Sequence, residues 1–320
     1  MPDTERIKLG VSACLLGQAV RHDGGHKRDD LVASLLAKHF EMIPLCPEVA
    51  IGLGVPRPPI RLVQTAAGIR VRGVQDPMLD VTHALNLEAQ RVARQMPDLS
   101  GYILKSKSPS CGMARVKLHT PTRRAVRIGV GAYAAGLLAC SPLWPMEEET
   151  GLQDPSRREH FIERVFAYAR WQVLVRGRVS GAALMEFHSR HKYQLLAHNQ
   201  AAYRRIGRLV AGAGSRPPAG LLAQYASELM TALSRPASTG NHVNVLQHFH
   251  GYLKDVLGPS DKAGLIAAID AYGRQDAPLQ RPLTLLRQHF RCHPQLWAAH
   301  QTYLIPDLRE QQLRELPTPQ

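Results

Sequence analysis

Cysteine is scarce in this chain, five in 320 residues. That number is odd and too small to staple a protein of this length with disulfides. Close-spaced pairs are missing too: no C-x2-C occurs, which removes the usual mark of a structural zinc site. Long apolar runs are also missing. The best candidate, Gly129 to Cys140, has a dozen residues, where a bilayer span needs about 20. The first nine residues are charged and contain no apolar segment, so no secretory signal is expected. Internal repeats and low-complexity tracts are absent. These absences predict a soluble protein of a reducing cytoplasm with no membrane partner, where free thiols and iron–sulfur sites survive.

What is present begins with size and charge. At 320 residues and 44% apolar, the chain can bury two ordinary cores, so two domains are expected. The formal net charge is +14. Residues 1–150 hold 19 Lys/Arg against 14 Asp/Glu, and residues 151–320 hold 21 against 12. In the second half only Lys192, Lys254 and Lys262 are lysines; the other basic residues are arginines. Arginine suits phosphate forks and base stacking, which makes a polyanionic partner plausible, although charge by itself also serves solubility.

Residues 7–14 form an apolar run that ends at Cys14, as a buried parallel strand would. A polar turn, Arg21-His22-Asp23-Gly24-Gly25, precedes a helical pattern from Asp29 to His39. Residues 40–45 predict a second strand ending at Cys46, with Pro44 tolerable at an edge. Residues 60–64 and 69–74 predict a hairpin about Ala66-Ala67-Gly68. Asp80 or Thr82 is placed to cap a helix that runs to Gln95 and stops at Pro97. A third strand, 101–105, leads into a loop carrying Cys111. Strands alternating with helices predict an α/β domain with an open, mostly parallel, Rossmann-like sheet. Near 141–156 the texture changes to Pro-rich segments and Glu147-Glu148-Glu149. Beyond that, helical patterns cover 157–176, 180–197, 200–211, 219–233, 241–257, 260–273 and 282–304. The expected domains are therefore 1–150, α/β, and 151–320, all-α and basic.

Cys14, Cys46 and Cys111 each lie just past a strand end, where ligands collect in open parallel sheets. Three thiols at one sheet edge suit a soft metal centre with a vacant fourth position. Zinc, or three buried apolar cysteines, are the competing readings. Gly17 and Gly112 would let the backbone approach a bulky group, and Pro47 and Pro109 would stiffen the loops. Glu48 is placed to act as a base, and Ser108 and Ser110 offer hydroxyl donors.

The segments around Cys14, Cys46-Pro47-Glu48 and Ser108-Pro109-Ser110-Cys111-Gly112, with Arg21-His22-Asp23-Gly24 between them, resemble the TudS family of thiouracil desulfidases over residues 6–148. Residues 157–320 look like the helical YbgA-type domain, through the segments Met185 to Tyr193 and Asn244 to Tyr252. Fusions of the two resemble the RudS-type desulfidases, which remove sulfur from 4-thiouridine in tRNA. The resemblance implies a 4Fe–4S cluster held by Cys14, Cys46 and Cys111, with one iron lacking a protein thiolate. That iron would bind the thiocarbonyl sulfur while water attacks the attached carbon, a non-redox hydrolysis yielding uridine and sulfide. Glu48 is the expected general base and Ser108 the expected donor at the substrate. Asp23 and Ser110 are expected to orient the substrate. Cys140 reads as core packing or as a fourth cluster ligand; Cys292 has no such context.

In the helical domain Arg190, Lys192, Arg204, Arg205 and Arg208 form either a solvated face or a surface that tracks tRNA phosphates. His188 and His191, at i and i+3, are too few for a metal without further ligands. Two other functions stay open: desulfidation of free thiouracil or thiouridine, and a non-catalytic iron–sulfur RNA-binding or redox-sensing role.

Overall fold

A computed structural model of the chain describes residues 6–120 and 125–314. Its described strands are β1 (Lys8–Ser12), β2 (Glu41–Leu45), β3 (Ile60–Thr65), β4 (Gly68–Gly73), β5 (Leu99–Leu104), β6 (Val116–His119), β7 (Ala125–Gly129) and β8 (Met146–Glu148). Its described helices are α1 (Pro47–Ala50), α2 (Thr82–Gln95), α3 (Ala132–Cys140), α4 (Glu149–Leu152), α5 (Pro155–Val175), α6 (Gly181–His198), α7 (Gln200–Ala211), α8 (Ala219–Ala232), α9 (Thr239–Leu253), α10 (Pro259–Gly273), α11 (Gln280–Cys292), α12 (Leu296–Ala299) and α13 (Leu308–Arg314). The chain is thus an α/β region followed by a helical one. None of the described helices is long and apolar enough to cross a membrane.

Leu9, Val11, Ile103 and Leu104 have essentially no exposed surface, as expected of strands covered on both faces. They belong to a parallel sheet of order β2-β1-β5-β8. Pro44 lies on β2 at the edge of this sheet, where its missing N–H breaks no ladder. A second sheet, of order β4-β3-β6-β7, is mixed: β3 runs antiparallel to β4 and parallel to β6, and β6 is antiparallel to β7. The β3–β4 turn closes at Gly68, whose φ of +100° favours glycine.

One core joins Leu62, Val71 and Leu118 to Leu85 and Val92 of α2 and to Tyr133 and Leu137 of α3. A second packs Leu9, Val11 and Ile103 against Phe161, Ile162, Val165 and Phe166 of α5 and Leu313 of α13. The first compact unit accordingly comprises the described residues through Gln172 with 312–314, and the second is Val173–Gln311. The division falls at 172/173, later than the 150/151 limit expected from texture, because the apolar face of α5 is part of the first core.

The second unit is helical among its described residues. Its core gathers Tyr193, Leu196, Val245, Phe249, Leu265, Leu283, Leu286 and Tyr303. Side chains of Ser180, Asn199 and Ser238 accept backbone N–H bonds at the starts of α6, α7 and α9. The pattern at 282–304 is two helices, α11 and α12, separated at His293-Pro294, where proline cannot continue the ladder. The stretch 29–39 is not a regular α-helix. It is a π-type turn, Leu31–Leu35, followed by a 3-10 turn, Leu36–Lys38, since the chain must re-enter the sheet at Glu41.

Candidate functional site

β2, β1 and β5 are neighbours in one parallel sheet, and each ends at a cysteine segment. Cys14 lies in a 3-10 turn, Ala13–Leu16, and its carbonyl accepts the N–H groups of Gly17 and Lys27 at 3.3 and 3.0 Å. Gly17, at φ +90°, reverses the chain there. Cys46 precedes α1, with Pro47 in the first helical position, where its missing N–H costs nothing. Cys111 is fixed by Ser108, whose Oγ accepts the N–H groups of Ser110 and Cys111 at 3.2 and 3.1 Å. The first turn of α3 completes this loop: Ala132 and Ala134 donate to the carbonyls of Pro109 and Ser110 at 3.1 and 3.0 Å.

The three thiols line one cavity of about 350 Å³. Its wall also includes Glu48 and Ser108, with Arg21, His22, Lys27, Lys105 and Lys107 adding basic character. Burial raises each thiol pKa, Cys14 to about 11, with the neighbouring Cys46 adding to it. Cys46 is raised by burial, with Glu48 adding to it. Cys111 is raised furthest, again by burial first and then by Glu48. Without a cation these sulfurs are held as thiols; a cation in the cavity would draw them to thiolates.

Around one zinc ion, thiolates about 2.3 Å from the metal would crowd within about 4 Å of one another. Three thiols about a cavity of this size suit a polynuclear soft centre, and the donor set fits an iron–sulfur cluster. Cys140 is exposed at the far end of α3 from the Cys111 loop and does not line the cavity. Cys292 is exposed in the second unit.

Glu48 is anchored on both oxygens. Ser110 Oγ donates to Oε1 at 2.8 Å, and Arg57 donates to Oε2 from Nε at 2.9 Å and from Nη2 at 2.7 Å. Arg57 also donates to the carbonyls of Gly54 and Val20, at 2.8 and 2.9 Å. Its side chain is 3% exposed. Arg57 was not expected from the sequence. The available signal was an arginine held between Pro56 and Pro58 in an otherwise turn-like stretch.

Two expected substrate contacts are placed elsewhere. Ser110 is fully buried beneath Glu48 and does not line the cavity, because its hydroxyl serves the carboxylate. Asp23 is exposed and closes its own turn, accepting from Gly25 N–H at 3.0 Å and pairing with Arg21 at 3.4 Å. The Gly25 hydrogen bond leads in holding its pKa below the usual carboxylate value. Gly112 has a different cause from the one expected: a Cβ there would come within 2.5 Å of Val116 and 2.9 Å of the Ser108 carbonyl. The run Glu147-Glu148-Glu149 is also more than a boundary. Glu149 binds Lys105 and accepts from Ser106 N and Oγ at 2.7 and 2.6 Å, while Glu148 accepts from Met113 N at 2.8 Å.

In the second unit the expected basic residues separate. Arg190, Arg204 and Arg208 are exposed. Arg205 pairs with Glu228 at 2.5 Å, and Lys192 lies 5.4 Å from the ring centre of Trp297. His188 meets Tyr225 Oη at 3.3 Å, and His191 Nδ1 lies 2.7 Å from the Phe187 carbonyl, so the two imidazoles serve different partners.

Residues 9–149 match the family model described as 2-thiouracil desulfurase. Residues 192–307 match one described as a protein of unknown function, DUF1722. The uncharacterized protein YbgA of Escherichia coli (strain K12) is 33% identical over 141 residues, 44% of this chain and 83% of that protein. A solved structure described as the 4Fe-4S-dependent thiouracil desulfidase TudS is 31% identical and covers 45% of this chain and 92% of that one, with a TM-score of 0.37. The chain belongs to the YbgA family, and ahead of the DUF1722 match it carries a segment that matches the 2-thiouracil desulfurase model.

Proposed function

We propose that this protein is an iron–sulfur desulfidase that replaces the thiocarbonyl sulfur of a thiolated uracil with oxygen, and that its substrate is 4-thiouridine within tRNA. The observation that carries this reading is the meeting of three thiols from three distant segments with one carboxylate, Glu48, at a single cavity. Cys14, Cys46 and Cys111 would hold a 4Fe–4S cluster, which supplies a sulfur-seeking Lewis acid for the departing sulfide.

The remaining chemistry belongs to the chain. Glu48, oriented by Arg57 and Ser110, takes a proton from the water that attacks the thiocarbonyl carbon. Ser108 accepts two backbone N–H bonds, so its own O–H is left to donate, and it lines the cavity. The balance is one water consumed and one hydrogen sulfide released per carbonyl formed, with no external electrons. The basic wall residues Arg21, Lys27 and Lys107 suit phosphates on either side of an unstacked base.

The test is nucleoside analysis of 4-thiouridine-containing tRNA before and after incubation with anaerobically reconstituted protein. Loss of 4-thiouridine with equal gain of uridine, abolished by Cys111→Ala, is the expected result. No conversion by protein shown to carry its cluster would sink the tRNA reading. A cavity of about 350 Å³ also lies within the small-molecule range, which favours free thiouracil as the second substrate to assay. If that too survives intact, the sensor role replaces the enzyme.

A further inference from the structure

Helix α9 presents two unlike faces. Val245, Leu246, Phe249 and Leu253 are fully buried in the core of the helical unit. On the other side Asn244, Gln247, His248 and Gly251 recur at helical spacing and, with Tyr252 and with Lys254 and Asp255 just past the helix end, line an open cavity of about 660 Å³. A merely solvated helix face is best filled with Ala, Glu, Lys, Gln or Arg. Beside Gln247, this one carries Asn244, His248, Gly251 and Tyr252, with Lys254 and Asp255 just past the helix end.

Gly251 supplies a second observation. Glycine is a poor residue for a helix interior, and a Cβ at this position would meet nothing within 4 Å. The fold therefore has no need of glycine here, yet its absent side chain leaves the cavity floor bare. Tyr252 supplies a third. It is 42% exposed, yet its ring is fixed: its hydroxyl is 3.0 Å from that of Tyr193, and its ring centre is 4.1 Å from that of Trp297. Gln295 Nε2 donates to its carbonyl at 3.0 Å. An aromatic surface held rigid before any ligand arrives loses little freedom on binding.

We infer that this cavity is a nucleobase pocket: it receives one unstacked base of an RNA on Tyr252, faces the base edge with the amides of Asn244 and Gln247, and meets the neighbouring phosphate with Lys254. Stacking on an aromatic ring with amide contacts to the base edge is how proteins take unpaired bases of RNA. The inference rests on the tRNA reading of the substrate. It assigns the helical unit a role in gripping a loop or end of that tRNA, apart from the base that reacts.

Binding of fluorescently labelled tRNA to the full-length holoprotein, followed by anisotropy, tests it. Tyr252→Ala and Gly251→Leu should each weaken binding about ten-fold or more, while Tyr252→Phe binds as wild type. Gly251→Leu should also raise the melting temperature, so its loss of affinity could not be ascribed to damage of the fold. Unchanged affinity in both Tyr252→Ala and Gly251→Leu would overturn the pocket and leave the tRNA reading standing. Variants that alter only the sedimentation mass, at unchanged RNA affinity, would make the face a contact between copies and likewise overturn it. If wild-type protein fails to bind tRNA at all, the substrate reading falls and the pocket with it.

Discussion

Arg57 donates to Glu48 twice and directs its other donors at two backbone carbonyls, so the carboxylate is held in one orientation by a group almost wholly out of solvent. Removing one member of a buried pair leaves the other charge uncompensated, at a cost of about 3 kcal/mol or more. Arg57→Ala should lower the unfolding free energy in urea by that order and reduce turnover at least ten-fold. Adding Glu48→Gln should restore part of the stability and none of the activity. His188 gives a pH prediction. Burial, with Lys192 nearby, lowers its pKa from 6.5 to about 4. The unfolded chain then takes up the proton first, so the stability this group contributes is complete above pH 6.5 and is lost as the pH falls toward 4. Urea midpoints at pH 7 and pH 4.5 should differ less in His188→Gln than in wild type. At this scale the cysteines and Glu48 were legible because strand-end placement gave them a common address. Arg57 was hidden, since a partner 9 residues away around a proline-rich turn leaves no periodic trace.

Elements are positioned by close backbone approach, and glycines report it. A Cβ at Gly131, just before α3, would meet the Ser110 carbonyl oxygen at 2.5 Å, while one at Gly264 on α10 meets nothing within 4 Å. Gly131→Ala should therefore cost about 2 kcal/mol by overpacking and reduce iron content by moving the Cys111 loop. Gly264→Ala should stabilise by about 0.5–1 kcal/mol. Denaturation midpoints and iron-to-protein ratios measure both. The helices of the second unit were readable because proline- and glycine-rich joints punctuate them and Ser180, Asn199 and Ser238 cap three of them. β6 and β8 were not, being four and three residues long, too short for alternation to rise above chance. The 29–39 stretch looked helical because its apolar spacing is right; the nearby return into β2 decides its geometry.

For the whole molecule, charge and core organisation make separate demands. If Arg190, Arg204 and Arg208 meet phosphates, replacing all three with Ala should flatten the slope of log K against log salt for tRNA by about 2 to 3 and leave free-thiouracil turnover unchanged. The balance of +9 over residues 151–320 was visible from composition; which of its exposed arginines already hold a carboxylate was not, as Arg205 shows by pairing with Glu228. The domain limit near 150 was read from a change of texture, which cannot reveal that α5 covers the first sheet. Burial of Phe161, Ile162, Val165 and Phe166 stabilises that unit by roughly 6–12 kcal/mol, comparable with the whole stability of a domain. A fragment ending at residue 150 should show no cooperative urea transition.

Helix α13 brings Leu313 into the same core and pairs Arg314 with Glu159 at 2.9 Å. Synthesis from the N-terminus ordinarily lets the first domain finish first. Here the order inverts: the helical unit is complete once residue 311 has left the ribosome, whereas the unit that was begun first still waits for Leu313 to close its core.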